Sequence, residues 1–76
     1  MSKLPAVSGK DTAKALSKAG IVFVRQRGSH VTLAKEIGPN KYLITVVLMH
    51  KELAKGTLRK IIADSGLSIQ EFVKLL

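Results

Sequence analysis

The stretch from residue 21 to residue 36, IVFVRQRGSHVTLAKE, predicts a β-hairpin, and with it a sheet. Its two halves, IVFVRQR and SHVTLAKE, are rich in β-branched residues and alternate between apolar and polar, which is typical of strands. Gly28 and Ser29 lie between the halves, and a two-residue turn with glycine first is a common hairpin connection. We therefore expect two antiparallel strands joined at Gly28.

The length of this turn determines which side chains share a face, because directly paired residues lie on the same side of a sheet. The predicted register pairs Arg27 with His30, Arg25 with Thr32 and Val24 with Leu33. One face should pack on the core and carries Val22, Val24, Val31 and Leu33. The other face should be basic and partly exposed to solvent, and it carries Phe23, Arg25, Arg27, His30 and Thr32.

A short helix is predicted before the hairpin, between Ser8 and Gly20. Ser8 and Asp11 have the spacing of a capping-box variant, and glycine is common just after the last helical turn. Ala13 and Leu16 lie on the side of this helix that we expect to be buried.

A third strand and two further helices are predicted after the hairpin. Gly38–Asn40 has the composition of a turn, and Lys41–Met49 should form a strand that is apolar on both sides, so periodicity does not decide its buried face. The second helix should span Gly56–Gly66, with core positions at Leu58, Ile61, Ile62 and Ser65. The last helix, Ile69–Leu76, should begin with a capping box of Ser68 and Glu71, pack Leu67 against Phe72, and turn Ile69, Phe72, Val73 and Leu76 inward.

The predicted order is helix, three antiparallel strands, helix and a short C-terminal helix, which is an α+β fold. Helices on one face of such a sheet leave the other face open. The chain has 76 residues and neither a repeat nor a linker, so we expect a single domain over residues 1–76 with a thin core.

The strongest compositional signal is charge, since 13 Lys and Arg residues stand against five Asp and Glu, for a net charge of +8. Such a charge on a small body favours polyanionic partners, namely nucleic acid, an acidic protein or an anionic membrane. We rank a membrane last, because no segment resembles a basic amphipathic helix with aromatic anchors. The alternative is that the charge serves only solubility.

The expected location is the cytoplasm. The sequence has no cysteine, which excludes disulfides and thiolate metal sites, and Met1–Lys10 contains no apolar run of the kind a secretory signal needs. The longest apolar stretch, Leu43–Met49, is too short to span a bilayer.

Lysines recur on one side of the first helix, where Lys10, Lys14 and Lys18 follow one another at intervals of four residues. Like charges at this spacing cost a few tenths of a kcal/mol each. The row is either a solvated surface or a stripe that contacts phosphates. The candidate RNA-binding residues of the whole chain are Lys10, Lys14, Lys18, Arg25, Arg27, Lys51, Lys55, Arg59 and Lys60.

His30 is the candidate for chemistry, because it lies among cations and no other constellation is visible. The histidines and carboxylates have no metal-ligand spacing, and no glycine-rich phosphate loop is present. A neutral imidazole can remove the proton of an RNA 2′-OH while nearby positive charge stabilises the phosphorane-like transition state. The proton for the leaving 5′ oxygen could come from His50, Lys51 or solvent. Alternatively, His30 is an ordinary exposed residue near a turn.

Two stretches of this sequence resemble the HicA family of toxins from HicA–HicB toxin–antitoxin modules. RQRGSH corresponds to the family's basic hairpin, and VVLMHKELAKGTLRKIIADSGLSIQEF contains a close match to its E-L-x-x-G-T-L pattern. The resemblance spans about Ala13–Phe72. Leu48 stands where the family often has proline, so His50 corresponds less directly, and Ile21 replaces a frequent aromatic residue.

The resemblance implies a fold like the double-stranded RNA-binding domain and a ribonuclease that cleaves mRNA with neither a metal nor another cofactor. It places the family's essential histidine at His30, with Gly28 and Ser29 in the adjoining turn; Arg27 and His50 are the further candidates for catalytic support. It also implies a HicB antitoxin that binds the toxin in a hetero-oligomer and covers the active site.

Two other readings of the basic surface stay open. A non-catalytic module could bind duplex RNA through helix lysines and backbone phosphates. A subunit without RNA chemistry could use the same surface to dock an acidic protein.

Overall fold

The computed structural model describes residues 4–76, so residues 1–3 of the predicted domain lie outside the described part. Its elements in chain order are helix α1 (Gly9–Lys18), strands β1 (Val22–Arg27), β2 (His30–Gly38) and β3 (Lys41–Leu48), and helices α2 (Lys55–Asp64) and α3 (Ile69–Leu75). The strands form one antiparallel sheet in the order β1-β2-β3. The predicted α+β order, shared with the double-stranded RNA-binding domain, is confirmed, with ends that differ by a residue or two.

Helix α1 begins and ends at the signals that the sequence carries for it. The Ser8 hydroxyl accepts a hydrogen bond from the Asp11 N–H at 3.0 Å. After the helix Gly20 adopts φ of +85°, and the N–H groups of Gly20 and Ile21 each donate to a carbonyl of the last turn at 3.0 Å. This pair of bonds is the Schellman motif, which satisfies carbonyls that a helix end otherwise leaves unpaired.

The core lies between the three helices and one face of the sheet. Leu16 of α1, Leu33 of β2, Val47 of β3, Leu58 of α2 and Phe72 of α3 are almost completely buried. Along β2 and β3 buried and exposed residues alternate, so only one face of the sheet is covered. That alternation settles the facing of β3, where Thr45 and Val47 are buried and Ile44 and Val46 are exposed.

The hairpin register is confirmed near the turn and is wrong beyond it. Arg27 pairs with His30 and Arg25 with Thr32 as expected, but a β-bulge at Val24 makes Phe23, rather than Val24, the partner of Leu33. A bulge inserts one unpaired residue, so every residue on its far side changes face. The assignment of Phe23 to the basic face is therefore also wrong.

The expected burial of β1 is wrong as well. Val22 and Val24 were assigned to the core face, yet they are 51% and 55% exposed, and all six residues of β1 are exposed. Both β1 and β3 are edge strands, but the buried residues of the sheet lie on β2 and β3, so the covered part of the sheet is centred there and not on β1. Ile21, just before β1, is buried instead.

The predicted N-terminal cap of helix α3 is confirmed, but the helix ends one residue earlier than expected. Ser68 and Glu71 form a reciprocal capping box, with bonds of 3.0 and 2.9 Å between each side chain and the other's N–H. The hydrogen bonds from the backbone and the hydroxyl of Ser68 lower the pKa of the Glu71 carboxyl. Leu76 was expected to face inward, but it is exposed because the helix ends at Leu75, which packs on the core instead.

The segment before α1 is held against the segment that follows β3. The Gly9 N–H donates to the His50 carbonyl, and the Leu53 N–H donates to the Val7 carbonyl, each at 2.9 Å. Gly9 is buried, and a Cβ at this position would overlap the carbonyl group of Leu48. Only glycine allows this approach of helix and strand.

We expect Gly9→Ala to lower the free energy of unfolding by about 3 kcal/mol, because the added methyl group meets backbone that cannot move aside. The matched control is Gly56→Ala in α2, where a Cβ would meet no atom within 4 Å. That change should be neutral or should stabilise the protein by about 0.5–1 kcal/mol, since alanine favours the helix. Urea unfolding of both variants measures the difference, and equal effects would show that Gly9 makes no special contact.

Candidate active site

Three segments meet at one end of the sheet, which we call the hairpin end: residues 28–30 of the β1–β2 turn, residues 49–51 after β3, and residues 8–10 at the start of α1. The Met49 N–H donates to the Ser29 carbonyl at 2.7 Å, which joins the exit of β3 to the turn. The bond from Gly9 to His50 joins the same exit to the helix. The hairpin end is thus built by main-chain hydrogen bonds between parts of the chain that are distant in sequence.

The turn itself requires glycine for conformational reasons. Gly28 adopts φ of +57°, whereas Ser29 does not have a positive φ, which is typical of a type II′ hairpin turn. No atom lies within 4 Å of the place that a Cβ on Gly28 would occupy, so space is not the constraint. The Gln26 side-chain amide donates to the Gly28 carbonyl at 2.9 Å and holds the turn from the β1 side.

His30 is the first residue of β2 and is exposed on the open face of the sheet. It pairs with Arg27 on one side and with Leu48 on the other, and Arg25 follows on the same face opposite Thr32. Within residues 4–76 the one salt bridge joins Lys60 and Asp64, so neither arginine is neutralised by a carboxylate there. The open face therefore presents two unpaired guanidinium groups and an imidazole.

His50 is exposed and lies two residues beyond Leu48, the partner of His30. Both histidines consequently belong to the hairpin end. Among the described residues neither imidazole makes a hydrogen bond, and both side chains are exposed, so both rings are accessible to a ligand. Lys51 follows His50 and is exposed as well.

The remaining predicted RNA-binding residues divide between the hairpin end and the layer of helices. Lys10 is exposed next to Gly9, at the hairpin end. Lys18, at the other end of α1, donates from Nζ to the Leu75 carbonyl at 3.0 Å and so holds the end of α3. Lys60 is engaged by Asp64 at 3.5 Å. The other exposed members of the helix layer are Lys14, Lys55 and Arg59.

Sequence reasoning missed Gly9, which shapes the hairpin end although it carries no reactive group. Its signal was a glycine at the first helical position, where glycine lowers helix propensity and needs another reason. Sequence reasoning also missed Lys35, an exposed lysine whose Nζ donates to the Ala19 carbonyl at 3.1 Å and caps the C-terminal end of α1.

Neither a metal-binding cluster nor a membrane-spanning helix is present among the described residues. No three side chains of His, Cys, Asp or Glu in residues 4–76 are arranged to hold a metal ion together. Over the same residues, none of the helices has the length and apolar character needed to cross a membrane.

Fold and site together define a small basic α+β protein that displays a histidine among cations on an open sheet face, as expected of a protein that acts on a polyanion. A family model described as the HicA toxin of bacterial toxin-antitoxin matches residues 9–67, from the start of α1 to just before α3. The chain belongs to this family and is the toxin of a toxin–antitoxin module, which implies an antitoxin partner. No curated protein matches the chain.

We expect Gly28→Val to loosen the hairpin end, because a β-branched residue at positive φ costs about 1–3 kcal/mol. The amide of Met49, bonded to the turn, should then exchange its hydrogen faster than in the wild type. Gly28→Asn is the control, since asparagine tolerates positive φ. Hydrogen exchange followed by NMR measures both variants. Wild-type exchange at Met49 in Gly28→Val would mean that the turn does not depend on glycine.

Proposed function

We propose that this toxin is an endoribonuclease that cleaves mRNA without a metal ion, with His30 as the general base. The observation that carries the proposal is the pairing of His30 with Arg27 on the open face, where RNA can reach both side chains. A bacterial toxin that acts on mRNA would work in the cytoplasm. The family relationship adds weight, because a toxin must disable a process that the cell needs.

RNA supplies the nucleophile in this mechanism. The neutral imidazole of His30 takes the proton of a 2′-OH, and the 2′ oxygen attacks the adjacent phosphorus. As the P–O5′ bond breaks, the products are a 2′,3′-cyclic phosphate and a free 5′ hydroxyl. Arg25 and Arg27 are positioned to stabilise the negative charge that grows on the phosphoryl oxygens in the transition state.

The leaving 5′ oxygen needs a proton, and the hairpin end offers two donors besides solvent. His50 and Lys51 are exposed beside the turn that leads to His30. We assign the general acid to His50, since a protonated imidazole is the more effective donor near neutral pH. Gly28 and Ser29 support the reaction by fixing the start of β2.

The RNA backbone is proposed to follow the cations from the open face around the hairpin end. Arg25 and Arg27 contact the phosphates next to the scissile bond, and Lys10 and Lys51 extend the contact past the edge of the sheet. The helix layer supplies weaker, longer-range attraction through Lys14, Lys18, Lys55, Arg59 and Lys60. Binding that rests on phosphate contacts should weaken steeply as salt rises.

A HicB-like antitoxin is the proposed partner in a hetero-oligomer. It would inhibit the toxin by covering His30, which is exposed in the free chain. A non-catalytic module that binds duplex RNA is the second candidate, because the helix–sheet–helix order is shared with such modules and the cations suffice for binding.

We expect His30→Ala to reduce the cleavage rate by at least about 100-fold, because the general base is lost. The fold should be unaffected, since the side chain is exposed. The rate is measured on purified RNA in the presence of a chelator, alongside growth and mRNA integrity in cells that lack the antitoxin.

A His30→Ala toxin that arrests growth and degrades mRNA like the wild type would refute the catalytic assignment. If the wild type binds RNA in a salt-sensitive manner but does not cleave it, the binding module is the correct function.

A second comparison identifies the proton donor. The His50→Ala substitution should slow the cleavage of RNA by at least about 10-fold. The same variant should cleave a nucleoside 3′-(p-nitrophenyl phosphate) at nearly the wild-type rate, because the p-nitrophenolate leaving group needs no proton. Lys51→Ala is the matched control: it should raise KM for RNA through the lost phosphate contact, but its kcat should stay near the wild-type value on both substrates. If Lys51→Ala shows the selective loss instead, the lysine is the general acid.

A further inference from the structure

The two edges of the sheet differ in how they are protected. Edge strands expose unpaired N–H and C=O groups, and proteins usually blunt them with bulges or charges. The β1 edge has both devices, namely the bulge at Val24 and the charges of Arg25 and Arg27. Strand β3 pairs with β2 along its whole length, contains no bulge of its own, and has its single charge at Lys41, its first residue.

A groove runs beside the unprotected β3 edge. It has a volume of about 320 Å³ and lies between β3, which contributes Ile44, Thr45, Val46 and Leu48, and α2, which contributes Lys60 and Asp64 among others. The β3 residues in this lining come from both faces of the strand, so the groove follows the edge itself. It therefore has the position that an additional strand would occupy.

Large apolar side chains flank this groove on the open face. Tyr42, Ile44 and Val46 are 57%, 58% and 45% exposed, and the last two lie in the middle of the strand rather than at a loop. Thr45 is buried, and its hydroxyl has no hydrogen-bond partner among the described residues. Exposed apolar side chains beside a free strand edge are typical of an interaction surface.

We propose that an extended segment of the antitoxin pairs with the free edge of β3 as a fourth strand and lays apolar side chains against Ile44 and Val46. This mode of recognition obtains affinity from main-chain hydrogen bonds and specificity from alternate side chains. The proposal rests on the toxin–antitoxin relationship and does not depend on the chemistry of His30.

Charge selects an antitoxin segment over a second copy of this chain. The ends of the β3 edge are marked by Lys41 at its start and Lys51 just beyond its finish. Two copies paired antiparallel through β3 with their ends aligned would set the Lys41 of each opposite the Leu48 of the other, three residues before Lys51, and each copy carries a net charge of +8. An antitoxin strand with acidic residues at its two ends would neutralise the same lysines.

The position of this edge connects docking with inhibition. Leu48, at the end of β3, pairs with His30 on β2. A fourth strand beside β3 would lie two strand spacings from β2, roughly 10 Å away. An antitoxin chain that continues past the hairpin end can therefore fold over the open face and reach the imidazole.

The test compares charge substitutions on the two edges. The double variant Ile44→Lys/Val46→Lys places two lysines beside the β3 edge, and Val22→Lys/Val24→Lys places two at exposed positions of the β1 edge as the matched control. Affinity for the purified antitoxin encoded beside the toxin gene is measured by calorimetry, and RNA cleavage by each free toxin is measured separately. The β3 variant should lose antitoxin affinity by at least about 100-fold, while the β1 variant retains it.

The β3 variant should cleave RNA at a rate similar to that of the β1 variant, which carries the same added charge, and should no longer be inhibited by the antitoxin. Wild-type affinity in the β3 variant, or a loss confined to the β1 variant, would overturn the proposal. Antitoxin binding is measured directly, so a toxin without ribonuclease activity would leave this test intact.

Hydrogen exchange on the wild-type toxin tests the same contact without any substitution. Alternate amides of Lys41–Leu48 point away from β2 and should gain protection when the antitoxin binds. Protection on Val22–Arg27 instead would overturn the proposal. So would a wild-type toxin that is dimeric by light scattering and becomes monomeric in the β3 variant, because a second copy would then occupy the edge.

Discussion

The hydrogen bond from the Gly9 N–H to the His50 carbonyl connects the first helix to the end of the sheet that carries His30. It exists because residue 9 has no Cβ, which lets α1 approach the carbonyl of Leu48. Together with the bond from Met49 to Ser29, it turns three separate segments into one end of the molecule. The grouping of His30, His50, Lys51 and Lys10 depends on these main-chain contacts, since no side-chain hydrogen bond joins them within the described residues.

Some of the basic side chains stabilise the fold, and others have no partner within residues 4–76 and are exposed to solvent. Lys18 and Lys35 are used to cap helix ends, where a cation meets carbonyls that have no helical partner. Arg25 and Arg27 have no such partner and occupy the open face next to His30. Two cations without a partner among the described residues therefore lie beside the histidine, while Lys14, Lys55 and Arg59 are exposed on the helix layer.

The sheet has two faces and two edges, and each has a different environment. One face is covered by the helices, and the other displays cations near the turn and apolar side chains along β3. Both edge strands expose apolar side chains, but β1 also carries a bulge and two arginines, whereas β3 has no bulge and its single charge is at its first residue. The surface proposed to bind RNA and the edge proposed to bind the antitoxin are therefore formed by different side chains, although both border the open face.

Local signals in the sequence were sufficient to predict the helices, the strands and the β1–β2 turn. The caps at Ser8 and Ser68, the glycines that end the first two helices and the positive φ of Gly28 depend on residues within a few positions of one another. The pairing of Arg27 with His30 also follows from the turn alone, because a two-residue loop leaves no freedom in the first pair. The family resemblance then supplied the hypothesis that His30, rather than His50, is the general base.

Only the tertiary structure decided which residues are buried and which segments meet. Strand β3 is apolar on both sides, so its facing depended on which side the helices cover. The bulge at Val24 has no signal in residue type, since Val22, Phe23 and Val24 suit either face, and it changed the partner of Leu33 from Val24 to Phe23. The exposure of the whole of β1 was a separate outcome of where the helices lie. The approach of Gly9 to Leu48 joins positions some forty residues apart, a contact that is determined by packing and by no local pattern.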